Sequence, residues 1–162
     1  MIKLKGLEKM SKAQRLAYTK LLLRSQGGTE SHPRAIEANA AAIIMAVVEG
    51  LNWAGFYWVV EDELVLGSFQ GLPACTRISY GKGVCGSAWK ENCSQRVEDV
   101  ENFPGHIACD SASRSELVIP IRKSGELRGV LDLDSPYLGH FTQQDQVAFE
   151  EFVEILEGFL YD

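Results

Sequence analysis

The chain has 162 residues, 46% hydrophobic and 23% charged, and its 16 basic side chains against 22 acidic ones give a formal net charge of −6. This length and composition suit one globular domain with a full core and no need of disulfide staples. The acidic balance argues against a nucleic-acid partner, which would need a basic face. The longest apolar run, Ala40 to Val48, is well short of the roughly 18 residues that span a bilayer. The Met1 end has no leader-like apolar segment, so the location expected from the sequence is cytoplasmic.

Ser11 can cap a first helix from Lys12 to about Ser25, with an apolar stripe of Leu16, Tyr18, Leu22 and Leu23, and Gly27-Gly28 ends it. A second helix begins near Pro33. Ile36, Ala40, Ile43, Ile44, Val47 and Val48 recur at helical spacing until Gly50. Both are expected to cover a sheet, and the alanine-rich face also suits a homodimer contact. From Asn52 the period changes. Trp53–Val60 and Glu63–Phe69 are β-rich runs split by Glu61-Asp62, a hairpin signal. Cys75–Ser79 is a short strand. Tyr80–Gly86 is a glycine turn feeding a short helix, Ser87 to Glu91. A further short strand is expected near Gln95–Glu98.

Leu117–Arg122 and Leu127–Asp134 are the last strands, joined as a hairpin across Lys123-Ser124-Gly125-Glu126. Thr142 followed by Asp145 signals a helix start. The final helix, about 143–160, carries Val147, Ala148, Phe152, Ile155, Leu156 and Phe159 on one side. The expected fold class is α+β: an antiparallel sheet of about five or six strands, with two N-terminal helices and a C-terminal helix packed on it.

Four cysteines, Cys75, Cys85, Cys93 and Cys109, in a cytoplasmic chain are expected to be reduced at rest, any disulfide being transient and catalytic. None forms a C-x2-4-C pair, and His32, His106 and His140 are scattered, so neither a metal nor a cofactor is expected. Cys109 is the best nucleophile candidate. It sits in a small, polar, turn-prone segment, Gly105–Glu116, where a thiol is open to reagents, with His106 and Arg114 as local cations. Cys75, at a strand start, and Cys85, at a helix N-terminus, can each resolve an oxidised Cys109, and position alone does not choose between them. Cys93 reads as an incidental surface thiol.

The strand period puts Val130, Asp132 and Asp134 on one face and Leu131 and Leu133 on the other. Aspartate is a poor strand former, and two on one face repel, so the pair makes sense around a cation such as an ammonium group. Glu116 on the partner strand can complete a three-carboxylate cluster, in which at least one pKa must rise. Gly81-x-Gly83 matches neither a dinucleotide fingerprint nor a P-loop. It does offer backbone N–H groups at a helix start, suited to a carboxylate. Trp53 and Tyr57 share a strand face, with Trp53 at its rim, and Phe56 and Trp58 lie on the other.

Taken together these stretches resemble the free methionine-(R)-sulfoxide reductases, which are built on the GAF domain. The matching segments are Asn52–Tyr57, Leu66–Gly71, Ala74-Cys75, Gly83–Gly86, Gly105–Asp110, Ser115-Glu116 and Val130–Ser135. The resemblance implies a single GAF domain over residues 1–162 and an oxidoreductase with a role in oxidative stress. It implies that the Cys109 thiolate reduces free methionine (R)-sulfoxide and is left as a sulfenic acid. The residue matching Cys75 then forms a disulfide with it, thioredoxin reduces that disulfide, and Cys85 has an auxiliary part. It further implies that Glu116, Asp132 and Asp134 bind the substrate while Trp53 and Tyr57 wall its methyl end. Two rival readings account for fewer of these residues. A non-catalytic GAF sensor has no evident use for three thiols. A cysteine hydrolase pairing Cys109 with His106 would lack an orienting third group.

Overall fold

A computed structural model describes residues 4–106 and 111–161. Six strands form one antiparallel sheet in the order β3-β2-β1-β6-β5-β4. These are β1 (Trp53–Val60), β2 (Glu63–Gln70), β3 (Arg77–Ser79), β4 (Gln95–Val97), β5 (Ser115–Lys123) and β6 (Glu126–Ser135). The helices are α1 (Lys12–Gly27), α2 (Pro33–Val47), α3 (Gly83–Glu91) and α4 (Gln143–Tyr161).

Local chemistry explains most of the boundaries. Ser11 and Gln14 form a reciprocal capping box at the start of α1, and Pro33 occupies the first turn of α2. The β5–β6 hairpin turns through Ser124 and Gly125, both at positive φ (52° and 82°), the twist that matches paired strands. Thr142 and Asp145 cap one another at the start of α4. Asp145, though 2% exposed, also holds Lys12 at 2.6 Å and so ties α4 to α1.

The period of two divides the sheet into two faces. Ala54, Phe56, Leu117, Ile119, Ile121, Leu131 and Leu133 face α1, α2 and α4 in the main core. Ala40 and Ala41 of α2 are fully buried in this core, whereas Ala38 is exposed and Ala42 half-buried. Trp53, Tyr57, Val118 and Val130 face the other way, where they pack with Ile78, Val84, Cys85 and Ala88 beneath α3.

Three expectations need correction. The third strand begins at Arg77, which leaves Cys75 in a loop. The helix expected from Ser87 starts at Gly83. Gly86 is needed inside it because a Cβ there would lie 2.8 Å from the Ser79 carbonyl oxygen, so this glycine serves close packing and not the turn. On α4 the inward stripe runs through Phe149, Phe152, Val153 and Leu156, whereas Val147 is 44% exposed. The buried Asp145 fixes that rotation.

Candidate active site

The site lies on the α3 side of the sheet. In the register, Glu116 of β5 stands directly opposite Asp134 of β6, and on its other side Asp134 pairs with Trp53 of β1. Asp132, two residues back, pairs with Val118 and Gly55 and faces the same way. Three carboxylates therefore project from adjacent strands into one cleft. Tyr57, Ile78, Lys82, Gly83, Val84, Cys85, His106 and Ser113 complete its lining.

Glu116 and Asp132 are each 7% exposed, and Asp134 is half-buried. Cys85, in the first turn of α3, is 3% exposed and points its Sγ at Glu116 Oε1, 3.8 Å away. Ligand atoms of Cys85, Glu116 and Asp132 all lie within 4.8 Å of one another. Asp132 Oδ1 is buried with no hydrogen-bond partner.

Taking an acid out of water, beside other acids, favours its neutral form. Burial, then the charges of Asp132 and Asp134, raises Glu116 well above the usual carboxylate range. Burial also pushes Asp132 up to about 6, an effect opposed by hydrogen bonds from Cys85 and Glu116. Burial and the adjacent carboxylates raise the Cys85 thiol. Cys85 is therefore a neutral thiol in this environment, a poor nucleophile.

The same geometry sets a pH dependence. A carboxyl whose folded pKa exceeds its unfolded value binds more protons when folded, so stability falls as pH rises between the two. For Asp132 this window runs from the ordinary 3.8 to about 6. Asp132→Asn is therefore expected to stabilise the ligand-free protein at pH 7 by on the order of 2 kcal/mol, with the gap closing near pH 4. Calorimetry at the two pH values checks this, and a pH-independent gap would contradict it.

The remaining residues singled out in the sequence fall as follows. Tyr57 lines the cleft, and its hydroxyl donates to the Cys75 carbonyl oxygen at 3.0 Å, tying the Cys75 loop to the site floor. Burial, reinforced by the charge of Asp132, raises that hydroxyl's pKa, so it remains a donor. Trp53 is not at a rim. It is 1% exposed, stacked against Tyr57 and Phe69 with centroids 5.9 and 5.3 Å away, and donates to Leu72 O. Among the described residues it stands behind Tyr57 and not in the lining.

Cys75 is half-buried and disulfide-bonded, whereas Cys85 and Cys93 are free thiols, Cys93 on the surface. Cys109 lies outside the described residues. His106 and Ser113, on either side of that stretch, both line the cleft. Ser113 accepts from Asn52, and Arg114 N donates to Ser135 O, which anchors the returning chain beside β6. Lys82, whose side chain caps no backbone group, leads into the first turn of α3, where Gly83 and Val84 border the cleft. Lys82, Ile78 and Ser113 were not singled out in the sequence. The glycine turn before Cys85 was the one signal near Lys82, and nothing local marked the other two.

The GAF domain family model matches residues 35–158, so the chain belongs to the GAF domain family. It is 47% identical to Protein YtsP of Bacillus subtilis, over 93% of this chain and 94% of that one. It is 49% identical to free methionine-R-sulfoxide reductase of Escherichia coli, over 76% of this chain and 74% of that one. The solved structure of free methionine-R-sulfoxide reductase from Neisseria meningitidis in complex with its substrate superposes with a TM-score of 0.92. That match has 40% identity and covers 99% of this chain and 95% of that one. Within the GAF domains, the chain belongs to the free methionine-R-sulfoxide reductase family. Among the described residues no helix is long and apolar enough to cross a membrane.

Proposed function

We propose that this protein reduces free L-methionine (R)-sulfoxide to L-methionine with a cysteine thiolate, in a cytoplasmic setting and with thioredoxin as the final reductant. The observation that carries the proposal is the carboxylate cluster of buried Glu116 and Asp132 with half-buried Asp134, on the floor of a cleft bordered by His106 and Ser113 on either side of Cys109. Such a cluster is costly unless a cation joins it. A free amino acid brings an ammonium group. The backbone N–H groups at the start of α3, with Lys82 beside them, suit its carboxylate. A methionine sulfoxide inside a peptide has neither charge to offer.

In this proposal Asp132 and Asp134 hold the ammonium, and Tyr57, backed by Trp53, walls the methyl end. The Cys109 thiolate attacks the sulfoxide sulfur. The sulfoxide oxygen takes a proton from Glu116, the acid that burial and the neighbouring aspartates shift toward its protonated form. Oxygen passes to the cysteine sulfur, methionine leaves with its sulfur reduced, and Cys109 remains as a sulfenic acid. The Cys75 thiol then displaces the hydroxyl as water, forming a disulfide with Cys109. A thioredoxin dithiol reduces this disulfide and is itself oxidised. The bonding state of Cys75, against the free and acid-surrounded Cys85, supports Cys75 as the resolving thiol. Cys85 keeps the auxiliary part of a neutral donor to the cluster.

The test is an epimer-resolved assay with dithiothreitol as reductant. Consumption of the (R)-sulfoxide of free methionine with the (S) epimer left almost untouched is expected. No turnover of either epimer would overturn the proposal.

A further inference from the structure

We propose that Cys85, Glu116 and Asp132 form a zinc site that competes with the substrate ammonium for the same cleft, an inhibitory site within the proposed active centre. The competition rests on the proposed function, but metal binding itself does not.

The donors come from three elements, α3, β5 and β6. No short Cys/His spacing could therefore announce them. Their ligand atoms already lie within 4.8 Å of one another, and the Cys85 Sγ to Glu116 Oε1 separation is 3.8 Å. Zinc bonds of about 2.3 Å to sulfur and about 2.0 Å to oxygen place neighbouring donors roughly 3.5 Å apart in a tetrahedron, so Cys85 and Glu116 need move little and no pair of donors must close by more than about 1.3 Å. Asp132 Oδ1 supplies the second observation: it is buried, unpartnered, and on a residue only 7% exposed that lines the cleft.

The donor set selects the metal. A thiolate with two carboxylates favours zinc over magnesium or calcium, which demand more oxygen ligands. The open side of the cleft leaves the fourth position to water. On binding, the thiol proton and any carboxyl proton leave to solvent, so a sulfur–metal and two oxygen–metal bonds replace the donors' bonds to hydrogen. A divalent ion also relieves the crowding of acids more fully than an ammonium does.

The experiment uses full-length protein in which Cys75, Cys93 and Cys109 are replaced by serine, leaving Cys85 as the sole cysteine. It is titrated with cobalt(II) under a phosphine reductant. A thiolate-to-cobalt charge-transfer band of one-to-one stoichiometry is expected, bleached by zinc and lost on adding Cys85→Ser. In wild-type protein, free methionine at about 100 times its dissociation constant is expected to weaken zinc binding about 100-fold, and N-acetylmethionine amide to have no effect. No band from a variant with native near-ultraviolet circular dichroism would overturn the site. Should the variant not fold, zinc binding to wild-type protein that Asp132→Asn leaves unchanged would do so. Metal that binds but is indifferent to methionine would overturn the competition. A metal band in a protein that turns over neither sulfoxide epimer would instead count against the proposed function and leave the site standing.

Discussion

Cys109→Ser is expected to abolish reduction of free methionine (R)-sulfoxide, lowering kcat/KM by at least about 10³-fold, because a serine hydroxyl is a far weaker nucleophile than a thiolate at neutral pH. Cys75→Ser should behave differently. The sulfenic acid still forms, so one equivalent of methionine per enzyme appears in a burst, but thioredoxin then finds no disulfide to reduce and recycling stops. The contrast matters because Cys85 is the only buried free thiol among the described residues. Burial and then its acid neighbours hold it neutral, which handicaps it as attacker and as resolver. Rapid-quench measurement of methionine, followed by the thioredoxin-coupled steady state, separates the two variants. Undiminished coupled turnover by Cys75→Ser would move the resolving role to Cys85.

The second large effect concerns the carboxylates, whose roles should divide between kcat and KM. Glu116→Gln keeps the size of the side chain but removes the proton donor for the sulfoxide oxygen, and should lower kcat by roughly 10²-fold or more with little change in KM. Asp134→Asn removes a half-buried charge that, on the proposed reading, faces the ammonium. The loss of a partner to a desolvated charge, about 2–5 kcal/mol, should appear mainly as a raised KM. Steady-state kinetics on the free amino acid over a substrate range that brackets KM distinguishes them. A Glu116→Gln enzyme with undiminished kcat would remove Glu116 from proton transfer. Asp132→Asn, which should stabilise the ligand-free fold at neutral pH, is expected at the same time to weaken substrate binding. The burial that makes the cluster costly when empty is also what gives an ammonium something to neutralise.

Much of this was legible in the sequence, for reasons that differ by element. The run Trp53–Val60 is long, aromatic and β-branched, so its bounds could be read directly. The parity of Asp132 and Asp134 follows from the pleat alone, and pairing with Glu116 needed only the β5–β6 hairpin, which Ser124-Gly125 announces. The start of α3 was misplaced because its glycines look like turn residues, whereas Gly86 is there to approach Ser79. The burial of Trp53 depends on Phe69 of the neighbouring strand, and the depth of Cys85 depends on α3 lying over β5 and β6. Periodicity within one segment cannot report such contacts. The outward turn of Val147 has the same origin: Asp145 is drawn inward by Lys12, a residue more than a hundred positions away.

The claim beneath all of this is that an acidic floor and a helix start together accept an amino acid only when both its ends are free. Rates on free methionine (R)-sulfoxide and on the same sulfoxide carried within a tripeptide, at equal concentration and with the same reductant, test it most directly. At least about a 10³-fold preference for the free form is expected, in line with the loss of two charge-assisted contacts. Comparable rates on the two would contradict it.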